Sequence, residues 1–390
     1  MEKFLELQRK FSDELFLSVI PFWLNHSIDR EFGGYFSCLE RDGTVFDTDK
    51  FTWMQGREIW MFSTLCEQYG VKEEWLNAAR HGVEFMRKYG NSPNGDMYFA
   101  LERSGKPLVQ PYNIYADCFM CMAYAAYSRV TKDEWAKEES LRLYKRINER
   151  KDNPKGVWSK LVPGSRSFCA MSFPMIQMTM ARELLGYLPD EVVEPVVQNT
   201  LDIFWKRHVD RELKLVFERV MPDGSHNFDV MEGRLLNPGH ALEILWLIMD
   251  AADKRGDKKM VDDCAEAMLW SIESGWDKEY GGIFYYQDYK GYPTEKLESQ
   301  MKLWWVHVEA LLAMLLAYKL TGSKAHWDWF IKLSDYSFKH FSDRDGGGEW
   351  FGYLDRRGEP VFTLKGGKWK GFFHLPRALM LCEKWLGELS

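Results

Sequence analysis

The sequence predicts an all-α fold: a closed (α/α)6 barrel of twelve helices, with short β-hairpin inserts crossing one mouth. Three observations in the 390 residues carry this. Glycine-centred, β-favouring text recurs six times, at intervals of about 60 to 65 residues. Two helical stretches lie between successive inserts. The two helix sets also differ in composition, one carrying a charged face and the other apolar nearly all round. A repeated helix pair of this kind buries its apolar faces by curving into a ring, so residues 1–390 are read as one barrel domain.

In chain order, the first helix falls on the charged, amphipathic text MEKFLELQRKFSDELF, which lacks the basic start and apolar run of a signal peptide. The inserts are Asp29 to Gly43, Asn94 to Pro107, Lys155 to Ser167, Leu213 to Phe228, Asp277 to Pro293 and Asp343 to Pro360. Breaks at Gly70, Thr131, Gly186 to Pro189, Gly256 and Gly322 divide the helical text between them. Helices that precede an insert, such as Thr131 to Lys151 and Lys254 to Ser274, are rich in charge and belong on the outside. Those that follow an insert, such as YNIYADCFMCMAYAAY and MKLWWVHVEALLAMLLAY, form the inner ring.

Each inner helix begins where an insert ends, so all six N-termini face the same mouth. In the fourth, GRLLNPGHALEILWLIMD, Asn237 is an N-cap and Pro238 a first-turn proline, which places His240 in the first turn. Glu243, three residues on, shares its face and is expected to orient the ring. The polar exceptions in the inner helices fall near their starts: Arg57, Asp117, His240, Glu243, His307, Glu309, His374 and Arg377 are expected to converge on one pocket.

Composition limits what such a pocket holds. With 17 Trp and 15% aromatic residues, the chain is suited to line a cleft for a small ligand such as a sugar. The net charge of −7 is spread along the chain, and no basic stripe addresses nucleic acid. No uninterrupted run of about 18 apolar residues is present to span a membrane. The seven cysteines are odd in number and sit mostly in apolar helical text, as expected for reduced core thiols of a cytoplasmic protein. Cys118 and Cys121 form a lone CxxC inside such a helix, a weak metal or redox signal. The P-loop, HExxH and GxSxG patterns are absent.

Two histidines entering a pocket from different inner helices, with an arginine opposite, suit proton transfer at carbon. An imidazole titrates near ~6.5, so one ring accepts a proton while the other donates on the opposite face. Removing a proton beside a carbonyl builds charge on its oxygen, for which Arg57 is the expected partner. Trp305 and Glu309 are four apart on one helical face, with His307 on another. Arg377, three after His374, is expected at the substrate or as an anchor. His26, His81, His208, His326 and His340 sit on outer helices or their ends and are read as structural. His226 lies in an insert near the mouth.

The stretches KFTWMQGREIWMFSTL, GRLLNPGHALEILWLIMD, LWWVHVEALLAMLLAY and GKWKGFFHLPRALMLCEKWL resemble the N-acylglucosamine 2-epimerase family over essentially the whole chain. The resemblance implies an (α/α)6 barrel and C2 epimerisation between N-acylglucosamine and N-acylmannosamine through an enediolate. It places the essential histidines at His240 and His374, the arginine at Arg57 and the acidic partners at Glu243 and Glu309. The related cellobiose epimerases add a tyrosine and a tryptophan, matching Tyr115 and Trp369. They also carry a histidine on the third inner helix, where this chain has Met171, Ser172, Phe173 and Pro174. That difference favours the acylamino-sugar branch, with an epimerase or aldose-ketose isomerase acting on free mannose, glucose or a β-1,4-disaccharide such as cellobiose as the first alternative.

The resemblance further implies no required cofactor or metal and a homodimer. Some members are activated by ATP, for which Pro163 to Arg166 offers a glycine and a cation, an ordinary content. A glycoside hydrolase on the same fold and a protein-binding module stand as the alternatives.

Overall fold

The computed structural model describes residues 2–153, 155, 158–343 and 345–390. Gly156 and Val157 of the third insert and Arg344 of the sixth lie outside the described residues. The first outer helix runs through α1 (Glu2–Asp13), a π-helical turn at Glu14–Val19 and α2 (Ile20–His26). The widened turn has a local cause: Pro21 has no N–H to return to the preceding turn, and the Ile20 N–H reaches back five residues to the Leu15 carbonyl.

The remaining helices are α3 (Thr52–Tyr69), α4 (Glu73–Tyr89), α5 (Tyr115–Thr131), α6 (Glu134–Arg150), α7 (Ser172–Glu183) and α8 (Asp190–Ile203). They continue as α9 (Pro238–Lys254), α10 (Lys258–Gly275), α11 (Trp304–Thr321), α12 (Lys324–His340) and α13 (His374–Glu388). Odd-numbered helices from α3 to α13 form the inner ring, each against the next, and the even-numbered ones pack outside them. The twelve-helix barrel expected from the sequence is therefore the observed fold.

The reason lies in burial. On α11 every residue from Trp304 to Ala317 is buried, whereas α6 buries only one face. Each large aliphatic side chain so enclosed contributes about 1.5–3 kcal/mol. The ring closes where α13 packs on α1, with Gln8 donating to Glu383 at 3.0 Å. Phe372 and Phe373, just ahead of α13, meet Phe62 and Trp60 of α3 at ring-centroid distances of 4.8 and 5.2 Å.

The inserts pair more widely than hairpins. Pairs within one insert occur at Cys38–Leu39 with Val45–Asp47, Ala100–Leu101 with Pro107–Val109, and Val209–Asp210 with Leu215–Val216. Other pairs join one insert to the next, and they use the strand that leads into an inner helix. These are Lys50–Phe51 with Ala100–Leu101, Cys169–Ala170 with Arg219–Val220, Leu235–Leu236 with Gln287–Asp288, and Lys302–Leu303 with Tyr353–Leu354. Between Lys155 and Ser167 no strand forms among the described residues, a departure from the expected hairpin.

Three inserts carry the same ionic clamp. Asp29 holds buried Lys50 at 2.9 Å and Arg103 at 3.0 Å; Asp277 holds Lys302 and Arg356, both at 3.0 Å; Asp343 holds Lys365 at 2.8 Å and Arg41 at 2.7 Å. Burial alone would raise the Asp29 and Asp277 carboxyls, but the paired cations outweigh it and hold both at about 2. The arginine of each clamp comes from a different insert, so the rim is fastened around its circumference.

Candidate active site

Beneath the inserts a cavity of about 810 Å³ opens among the starts of the inner helices. Of the residues expected to converge, Arg57, His240, Glu243, His374 and Arg377 line it, and so do Trp305 and the two positions the resemblance adds, Tyr115 and Trp369. Glu309 sits directly behind them, fully buried.

α9 begins as its sequence dictates. Asn237 caps it, its side-chain oxygen accepting from the His240 N–H at 3.1 Å, and Pro238 occupies the first turn. The ring partner of His240 is not Glu243, however. It is Glu218, from the fourth insert, whose oxygens lie 2.9 and 3.1 Å from Nδ1. A carboxylate only accepts, so Nδ1 carries the proton and Nε2 is the nitrogen left for a ligand. Glu243 is instead drawn to Arg377, at 3.2 Å. Glu218 carries no signal in the sequence, because Phe217 and Arg219 beside it form no motif; its direction is fixed by long-range backbone bonds, its N–H donating to the Leu235 carbonyl at 3.0 Å and Arg219–Val220 pairing with Cys169–Ala170.

His374 opens α13, and its Nδ1 lies 2.7 Å from Glu309. The other Glu309 oxygen accepts from Trp246 Nε1 at 2.8 Å, while Arg377 bridges Glu309 and Glu243. Donor atoms of Glu243, Glu309 and His374 lie within 4.8 Å of one another, a spacing compatible with a metal ion. The Arg377 guanidinium already supplies the positive charge between the two carboxylates.

The two histidines flank Trp305, at centroid distances of 5.1 Å for His240 and 5.9 Å for His374. Their environments push them apart. Burial disfavours the charged form of both, but the Glu218 carboxylate, its hydrogen bond and the charges of Glu243 and Glu309 outweigh this at His240 and raise it above the usual imidazole value. At His374 burial dominates, and with Arg57, Arg377 and His240 nearby it outweighs Glu243, holding the ring well below that value. Two like groups with opposite shifts are the arrangement from which acid and base roles arise.

Arg57 is enclosed by rings, 4.2 Å above Phe119 and 5.2 Å from Phe373, and burial lowers it to about 10. Its buried Nε has no hydrogen-bond partner among the described residues. Tyr115 Oη lies 3.2 Å from Ser172 Oγ, and half-exposed Trp369 stands edge-on to Trp53 at the rim.

Two other expected members stand elsewhere. Asp117 faces the second insert, accepting from the Met97 N–H at 3.0 Å and lying 3.4 Å from Arg150, because its side leads outward between helices. His307 is fully buried away from the cavity: Nδ1 donates to the Leu303 carbonyl at 2.8 Å and Nε2 accepts from the Ile283 N–H at 2.9 Å. His226 stacks on Phe228, and His26, His81, His208, His326 and His340 likewise stay outside this cavity. The CxxC thiols are free and buried, and burial pushes both upward.

Comparison with known proteins assigns the family and the fold. The family model for N-acylglucosamine 2-epimerase (GlcNAc 2-epimerase) matches residues 34–378. The N-acylglucosamine 2-epimerase of Bos taurus is 38% identical, over 100% of this chain and 94% of its own length. That of Homo sapiens is 34% identical, over 95% and 88%. Among solved structures, cellobiose 2-epimerase from Bacillus thermoamylovorans B4167 superposes with a TM-score of 0.81 at 23% identity, covering 97% of this chain and 99% of that one, a likeness of fold. A family match over most of the chain, together with full-length relatives above 30% identity, makes this protein a member of the N-acylglucosamine 2-epimerase family and an enzyme of the isomerase class.

Proposed function

We propose that the protein interconverts N-acyl-D-glucosamine and N-acyl-D-mannosamine by moving the C2 proton from one face to the other. The observation that carries this reading is the pair His240 and His374, both packed against Trp305 in one cavity and with opposite pKa directions. In the ring-opened sugar, neutral His374 takes the C2 proton through Nε2. The electron pair of the broken C–H bond moves into an enolate with its charge on O1. Protonated His240 then delivers its proton to the opposite face, giving the epimer and leaving the two rings with their protons exchanged.

Arg57 stands as the partner of the developing O1 charge: it is cationic, enclosed and has an unused donor. Glu218 and Glu309 hold the two rings in one tautomer, and Arg377 keeps Glu309 and Glu243 from repelling each other. No electrons are transferred overall, so the chemistry calls for no redox cofactor, and no step uses ATP. The resemblance supports a cytoplasmic homodimer acting on a free sugar, and the seven free cysteines fit a reducing compartment.

A glycoside hydrolase reading has less support. Its two carboxylates would be Glu243 and Glu309, and both are engaged by one arginine rather than set across a glycosidic bond.

Incubation with N-acetyl-D-mannosamine in deuterated water tests the proposal. The expected product is the C2 epimer carrying deuterium at C2. Absence of C2 exchange with every N-acyl hexosamine and free aldose would overturn it.

A further inference from the structure

The cavity is deeper on one side than the other. On α3, α11 and α13 its lining stops at Arg57, Trp305 and Arg377, within about 8 Å of the helix starts at 1.5 Å per residue. On α5, α7 and α9 it continues to Met122, Thr179 and Leu247, about 10–13 Å down. This recess lies beneath the layer of the histidines. Its walls add Met175 and Ile176, and the one hydroxyl there, on Thr179, is already donated to the Met175 carbonyl at 2.9 Å. Arg182, one turn of α7 further on, ties that helix to α9 at this depth, donating to the Leu247 carbonyl at 3.2 Å and to Asp250 at 2.5 Å.

We propose that this recess is the acyl pocket, and that Met122, Ile176, Thr179 and Leu247 set the preference for an N-acyl sugar and the length of acyl chain accepted. The inference rests on the epimerase reading of the site. With C2 between the two imidazoles, three heavy substituents need places. The C1 oxygen belongs with Arg57, and the hydroxylated chain belongs at the mouth, where Lys296, Glu298 and Tyr286 offer polar atoms. Only the alkyl end of the acyl group matches a recess lined by Met122, Met175, Ile176 and Leu247.

Planarity of the enolate adds a second reason. C1, C3 and the nitrogen stay in one plane while the proton changes face, so a single fixed pocket serves both epimers. A free aldose would bring a hydroxyl to the same place with no partner to receive it. The methionines give the walls enough adaptability to take more than one chain length.

The test measures both binding, by calorimetry, and C2 exchange with D-mannose, N-acetyl-D-mannosamine and N-propanoyl-D-mannosamine. Wild-type affinity should rise from mannose to the N-acetyl sugar, and by about fourfold again for the added methylene. Thr179→Met and Ile176→Phe fill the recess and should erase the N-acyl advantage; Leu247→Ala enlarges it and should shift preference toward the N-propanoyl sugar by at least fourfold. Folded variants that change affinity for all three sugars in the same ratio would overturn the assignment. If one filling variant fails to fold, the other and Leu247→Ala still decide. Chain-length-dependent binding without C2 exchange supports the pocket and overturns the epimerase reading; exchange without chain-length dependence does the reverse.

Discussion

Glu218 holds His240 from across the site: its Oε2 lies 2.9 Å from Nδ1, yet it belongs to an insert rather than to the helix that carries the histidine. Replacing it with glutamine removes the charge that raises His240 while keeping the shape of the contact. Glu218→Gln should lower kcat by about 10–100-fold with a smaller change in KM. Because His240 acts as the acid, its lowered pKa should also move the alkaline limb of the pH–rate profile to lower pH, as a kcat titration would read.

Removing either imidazole should separate exchange from inversion. His240→Asn and His374→Asn should each abolish epimerisation, by about 1,000-fold or more if proton transfer at both faces is lost as a unit. Each variant should still exchange the C2 proton of one epimer with solvent without inverting it. Proton NMR in deuterated water, run separately from each epimer, reads this and assigns which ring serves which face.

Arg377 lies between Glu243 and Glu309, all three buried. Arg377→Met leaves two carboxylates without their shared cation and should cost about 3–5 kcal/mol in stability, measurable by denaturant unfolding. It also removes one of the charges that depress His374, so that ring should titrate higher. The acid limb of kcat/KM, where the base must be neutral, should then shift to higher pH.

His307 gives a stability signature that does not involve catalysis. Burial, and Lys302 beside it, hold its folded-state pKa at about 3, whereas an unfolded histidine titrates near ~6.5. Between these values the unfolded chain binds a proton that the folded one refuses. The contribution of His307 is therefore intact above about pH 6.5 and falls as pH drops, by about 1.4 kcal/mol per unit. His307→Gln should be less stable than wild type at neutral pH, with the difference narrowing toward pH 4 in urea titrations.

Much of the barrel was legible because inner and outer helices differ in how many of their faces are apolar, and that difference survives in linear text. The start of α9 was legible for the same local reason, since Asn237, Pro238 and His240 interact within one turn. What was not legible depends on choices between distant partners. Glu243 shares a face with His240, but the Arg377 guanidinium on another helix competes for it and wins. Asp117 and His307 begin their helices as the site residues do, yet each satisfies a backbone N–H in an insert rather than facing the cavity. Glu218 acquires its role only once strands from separate inserts have paired.

The contact between α13 and α1 joins the first and last helices of the barrel. His374 and Arg377 are carried by the helix that packs against the first one, so the reaction centre comes into being only when opposite ends of the fold meet. Catalytic competence therefore serves as a report that the circle has been completed.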